Sequence, residues 1–72
     1  MRVRIVLKNS RTIEVKRCES KTRVILKEKT NEKKKDFPAK DDTVVEVCEN
    51  DGIVSIKLRP VRGKVKEETM SF

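Results

Sequence analysis

Apolar residues recur at every second position in several short stretches of this chain, and that period points to β-strands rather than helices. "RVRIVLK" (2–8) puts Val3, Ile5 and Leu7 on one face, and "TIEVKR" (12–17) does the same with Ile13 and Val15. "TRVILKEK" (22–29) contributes Val24 and Leu26, "TVVEVCE" (43–49) Val45 and Val47, and "IVSIKLR" (53–59) Val54, Ile56 and Leu58. A weaker sixth run, "VRGKVK" (61–66), follows Pro60, a residue that interrupts a ladder or marks an edge. No segment sustains the 3.6-residue period of a helix. Composition agrees: of 25 apolar residues, 15 are Val or Ile and three are Leu, and β-branched side chains suit a pleated, half-buried surface.

Turn chemistry tests the pairing. A two-residue type I′ turn at Asp51-Gly52 sets Val47 against Ile56, Val45 against Leu58 and Glu46 against Lys57. Apolar pairs then share one face, and an opposite-charge pair lies on the other. For the first hairpin, a two-residue loop at Asn9-Ser10 would mix the faces. A three-residue loop, Asn9-Ser10-Arg11, pairs Leu7 with Ile13 and Ile5 with Val15, so parity selects an odd loop. Arg11 is then an awkward occupant of the left-handed position such a loop requires.

The expected fold class is all-β: a small antiparallel sheet of five to six strands, curled into an SH3-like or OB-like barrel or packed as a mini-sandwich. Seventy-two residues allow one small domain, placed over residues 1–66. Within it, 30–42 is expected as a long charged connecting loop, and 67–72 as a frayed tail. A core of this size supplies only about 3–5 kcal/mol of net stability. Phe37, followed by Pro38, is expected to fold down from the loop and cap that core.

Most chemistries find no residues to carry them. The chain has no His and no Tyr, only two glycines and hence no Gly-rich phosphate loop, and Asp41-Asp42 as an adjacent carboxylate pair. That pair stands where a turn or cap explains it. No enzymatic activity and no cofactor are expected. Cys18 and Cys48 are too few for a disulfide framework and, without His, too few for a structural zinc site. They are read as buried or half-buried free thiols, with a bridge between them conceivable. No stretch reaches the roughly 20 apolar residues of a membrane span, and the expected location is cytoplasmic.

Charge is the remaining signal. Nineteen basic and 12 acidic residues give a net charge of +7. Residues 1–30 carry a net +7, residues 31–53 a net −3 and residues 54–72 a net +3. The lysine-rich stretch "NEKKKDFPAKDD" (31–42) is itself neutral. In the preferred register Arg4 stands opposite Lys16, with Arg2 and Lys8 on the same outward face, and Arg23, Lys27, Lys57 and Arg59 also point outward. Like charges placed opposite one another cost stability unless solvent screens them or an anion sits between them. The leading expectation is a polyanion-binding domain, with nucleic acid held through phosphates by Arg2, Arg4, Lys8, Lys16, Arg23, Lys27, Lys57 and Arg59. No aromatic lies on an expected strand, so base stacking and sequence-specific readout are not expected. The rival reading is a protein-interaction, inhibitory or assembly module of phage or mobile-element type. It would work by surface or strand-edge contact, with a protein partner or a second copy meeting outward apolar residues such as Val6, Ile25 and Val44.

Overall fold

Five of the six expected stretches form strands; the sixth, 61–66, does not. The computed structural model describes residues 2–72 and is all-β, with two antiparallel sheets and no α-helix among those residues. β1 (Arg2–Val6), β2 (Arg11–Cys18), β3 (Lys21–Glu28) and β4 (Asn31–Pro38) form a four-stranded sheet in sequence order. β5 (Val44–Asn50), β6 (Ile53–Arg59) and β7 (Lys66–Ser71) form a three-stranded one. The chain divides accordingly into two units, Met1–Pro38 and Ala39–Phe72. The expected sheet of five to six strands is thus two sheets, and neither closes into a barrel. Each is described separately.

The β5–β6 register is the one the turn chemistry requires. Val47 faces Ile56, Val45 faces Leu58 and Glu46 faces Lys57. Asp51 and Gly52 take φ of 52° and 79°, and the Gly52 N–H donates to Glu49 Oε1 at 2.8 Å. Val54, Ile56 and Leu58 are buried on the apolar face that Val45 and Val47 share. The third strand is displaced from its expected place: residues 61–65 connect, and β7 runs from Lys66 to Ser71. The segment read as a frayed tail therefore pairs with β6, Glu67 opposite Lys57, and the Phe72 N–H donates to the Gly52 carbonyl at 3.1 Å.

In the first sheet the β1–β2 register keeps the expected parity but moves by two residues. Ile5 faces Ile13 and Val3 faces Val15, so Arg4 stands opposite Glu14 and Arg2 opposite Lys16. The physical reason is the turn. The chain reverses over five residues, and the Leu7 N–H donates to the Arg11 carbonyl at 2.8 Å. The left-handed conformations fall on Asn9 (φ 62°) and Ser10 (φ 61°), while Arg11 keeps an extended φ of −79°. Asn tolerates that geometry and Arg does not, so the longer loop relieves the strain of the shorter one.

The larger departure is β4. Residues 31–38 are a strand along the edge of the sheet, joined to β3 by a tight turn in which Lys29 has φ 51°. Its charges match those of β3: Arg23 faces Asp36 and Lys27 faces Glu32. Phe37 is buried, as expected, but from within a strand, opposite Thr22. Lys35 lies two residues away on the same face, with its Nζ 5.4 Å from the Phe37 ring centre. Lysines along an exposed edge oppose pairing with another chain. Replacing Lys33, Lys34 and Lys35 by Thr, Val and Thr should therefore increase self-association. Sedimentation velocity at rising concentration checks this, and an unchanged profile would remove the guarding role from these lysines.

Thr22 gives a second prediction. Its side chain is fully buried on the face of Val24, Leu26 and Phe37, and its Oγ1 has no hydrogen-bond partner. An unpaired buried hydroxyl carries an uncompensated desolvation cost. Thr22→Val keeps the shape and removes that cost, so the variant should gain about 1 kcal/mol in denaturant unfolding. A loss of stability would show the hydroxyl to be satisfied.

Candidate functional site

Strand alternation sorts the first sheet into two unlike faces. One carries Val3, Ile5, Ile13, Val15, Val24, Leu26 and Phe37. The other is polar. Arg2 and Arg4 come from β1, Lys16 and Glu14 from β2, Lys21, Arg23 and Lys27 from β3, and Asp36, Lys34 and Glu32 from β4. Within β1–β4 this face holds seven cations against three carboxylates, a net of +4. Neighbouring strands lie about 4.8 Å apart and residues two apart along a strand about 6.8 Å, so the cations form a grid rather than a single row.

Each carboxylate is tied to its neighbours. Glu14, whose side chain is 4% exposed, accepts from Arg2 Nε at 2.7 Å and lies 3.6 Å from Lys16 Nζ. Burial pushes the Glu14 carboxyl up, but the hydrogen bond from Arg2 and the charges of Arg2, Lys16 and Lys27 outweigh it, leaving the pKa below its ordinary 4.5. Asp36 grips Arg23 with both oxygens, at 2.7 and 3.2 Å. That bond holds Asp36 below its ordinary 3.8 against the opposing effect of burial, helped by the charges of Arg23 and Lys21, and it raises Arg23 in turn. Glu32 is lowered chiefly by a hydrogen bond from Lys34, 3.0 Å away; burial opposes this, the charges of Lys34 and Lys27 assist, and Glu14 opposes. Arg4 makes no ion pair with any described residue.

The lowered carboxylates fix the sign of the acid response. Their folded-state values lie below their unfolded ones, so the unfolded chain binds more protons in acid and stability rises with pH there. The contribution is complete above the ordinary values of 4.5 and 3.8 and is lost as pH falls through the lower folded values. With no His in the chain, the melting temperature should be flat from about pH 6 to 8 and fall below about pH 4. A melting temperature that holds or rises on acidification would contradict these ion pairs.

The expected basic residues fall in three places. Arg2, Arg4, Lys16, Arg23 and Lys27 share the polar face of the first sheet. Lys8 is exposed in the β1–β2 turn. Lys57 and Arg59 belong to β6 in the other unit, on a face where Glu46 and Glu67 balance them; Arg59 Nε lies 3.3 Å from Glu46 Oε1. Of the outward apolar residues, Val6 and Val44 are exposed, but Ile25 is buried. Its neighbours on the polar face include Arg23, Lys27, Glu14 and Lys34, whose aliphatic stems cover apolar surface. Both cysteines are free and exposed, not buried or half-buried.

One end of the polar face is concave. Lys16, Cys18, Lys21, Arg23 and Asp36 line an open depression of about 240 Å³ beside the β2–β3 turn. Sequence reading missed Lys21, Cys18 and Asp36 as part of any site. Lys21 was legible: extending the β3 alternation back by one residue puts it beside Arg23. Asp36 was hidden because its strand was not recognised. Among the described residues no group of three or more His, Cys, Asp or Glu is placed to hold a metal, and no helix is long and apolar enough to cross a membrane.

Comparison with known proteins finds no matching family model, no matching curated protein and no matching solved structure.

Proposed function

We propose that the protein is a non-enzymatic, basic β protein that binds a polyanion, nucleic acid, through phosphate contacts of low sequence specificity. The observation that carries this reading is the polar face of the first sheet. There Arg2, Arg4, Lys16, Lys21, Arg23, Lys27 and Lys34 outnumber Glu14, Glu32 and Asp36. Phosphates are recognised by arrays of this kind, and the released counterions make such binding salt-dependent. Readers of single strands stack bases on aromatic rings. Phe37, the one aromatic of β1–β4, lies on the opposite face, so this face is left with electrostatics. Lys57 and Arg59 are not part of the proposed site.

Fluorescence anisotropy with a labelled duplex and a labelled single strand, each in two unrelated sequences, tests the proposal. Binding of both sequences with similar affinity at low salt is the expected result. No binding at low salt would refute it.

A strand-edge interaction with a protein is the second reading, and one observation favours it. β1 is an open edge whose Val3 and Val6 are 44% and 72% exposed, whereas the opposite edge is guarded by lysines. Under that reading charge reversal on the polar face leaves partner binding intact, while a proline at Val3 abolishes it.

A further inference from the structure

The depression beside the β2–β3 turn is set apart by how its charges are committed. Its single carboxylate, Asp36, spends both oxygens on Arg23, which fixes the guanidinium in place and neutralises one charge with the other. Two ammonium groups remain. Lys21 has no carboxylate within ion-pair distance among the described residues. Lys16 has only a loose one at 3.6 Å to Glu14, which Arg2 already holds at 2.6 Å. The lining therefore presents a charge of +2. It also offers the Cys18 thiol, a weak donor. At about 240 Å³ the space is smaller than the roughly 300–1,000 Å³ of clefts that enclose whole small molecules, so it suits one chemical group.

Charge identifies that group. An internal phosphodiester carries one negative charge. A phosphate monoester has a second ionisation near pH 6 and carries about −1.5 to −2 at pH 7, with three acceptor oxygens. Its charge matches that of the two ammonium groups that remain, and the diester's does not. We infer that this depression receives the terminal phosphate monoester of a nucleic-acid strand, so that the protein prefers phosphorylated ends to internal positions. The inference rests on the polyanion-binding reading and names the part of the ligand that fills the concave end of the face.

The test compares one oligonucleotide carrying a 5′-phosphate, a 3′-phosphate or hydroxyls at both ends, by anisotropy at pH 7.5 and pH 5. A phosphorylated form should bind about tenfold more tightly at pH 7.5, the effect of roughly one further ion contact. The preference should shrink at pH 5 as the monoester takes up its proton. The hydroxyl-ended form, measured at the same two pH values, carries any change in the protein's own charge, so the loss of preference reports the ligand. Lys21→Gln removes one cation of the polar face and so should weaken binding of all three forms, but it should weaken the phosphorylated form about tenfold more and thereby abolish the end preference. Equal affinity of all three forms at pH 7.5 would overturn the inference while leaving polyanion binding intact. A preference that persists undiminished at pH 5, or in Lys21→Gln, would also overturn it. If no oligonucleotide binds, the broader reading fails. Inorganic phosphate titrated against the amide resonances of residues 16–23 then separates the two, and an absence of shifts there removes the depression as an anion site.

Discussion

Phe37→Ala should leave the four-stranded unit largely unfolded at room temperature. The side chain is 3% exposed, and it is the one aromatic in the four-stranded unit. Truncating a buried Phe costs about 3–5 kcal/mol, from lost transfer free energy and from the cavity left behind. A chain this small has about 3–5 kcal/mol of net stability to lose, so one substitution consumes most of it. Phe37 also anchors an edge strand whose other inward positions are Asn31, Lys33 and Lys35. Nothing else apolar on β4 holds it to that face. Denaturant unfolding followed by circular dichroism measures the effect. Binding should fail only to the extent that the fold does, and excess polyanion should recover some folded protein by mass action. Unchanged unfolding together with lost binding would make Phe37 a contact residue and would overturn its structural role.

The second large effect is on binding. Arg4→Glu combined with Lys16→Glu takes the net charge of the polar face from +4 to zero. Arg4 is uncommitted, and Lys16 is 46% exposed and only loosely paired, so both are available to phosphates. Each phosphate contact contributes roughly tenfold at 0.1 M salt, and reversal adds repulsion, so affinity should fall by about 50-fold or more. The control is Lys57→Glu with Arg59→Glu, an identical change of net charge placed on β6 of the other unit. It should weaken binding several-fold less. Equal losses from the two pairs would mean that net charge alone governs binding and that no particular face is involved. Melting curves accompany both variants, because Glu at position 4 would stand opposite Glu14.

The parts of the fold legible in the sequence are those where burial forced the pattern. In β5 and β6 one face is apolar and the turn is Asp51-Gly52, so period and turn chemistry agree and the register follows. In the first hairpin, parity was legible because a one-residue slip would expose Val3, Ile5, Ile13 and Val15. The two-residue offset was not, since both registers bury the same face and only the turn distinguishes them. β4 was illegible for a different reason. An edge strand hydrogen-bonds on one side only, and this one needs a single apolar anchor, so "NEKKKDFP" lacks alternation. Its turn, Lys29-Thr30, has no Gly, Asn or Pro to announce it. The usable signal was charge: Arg23 with Asp36 and Lys27 with Glu32 fall into line only if residues 31–38 run antiparallel to β3. β7 was hidden in the same way, its Glu67 answering Lys57.

The candidate face was legible in composition and partly in position. The excess of basic residues in 1–30 places it on the first three strands, and Arg2, Arg4, Lys16, Arg23 and Lys27 do share one side. The expected Arg4–Lys16 opposition did not survive the register shift. Glu14 occupies that place, is nearly buried, and draws in Arg2 and Lys16. The like-charge grip anticipated from sequence is therefore a cation grid with embedded carboxylates. The triple lysine, expected within a connecting loop, lies in a strand instead. Lys33, Lys34 and Lys35 are successive residues of an edge strand, where side chains alternate between faces, so they do not act as one phosphate-gripping loop.

The most direct test of the account is the salt dependence of duplex binding by the unmodified protein. A face with a net charge of +4 should engage about four phosphates. The logarithm of the binding constant should then fall linearly with the logarithm of salt concentration, with a slope of roughly −4 that is shared by unrelated sequences. A slope near zero, or no binding at the lowest salt, would contradict the claim that this sheet face exists to meet a phosphate backbone.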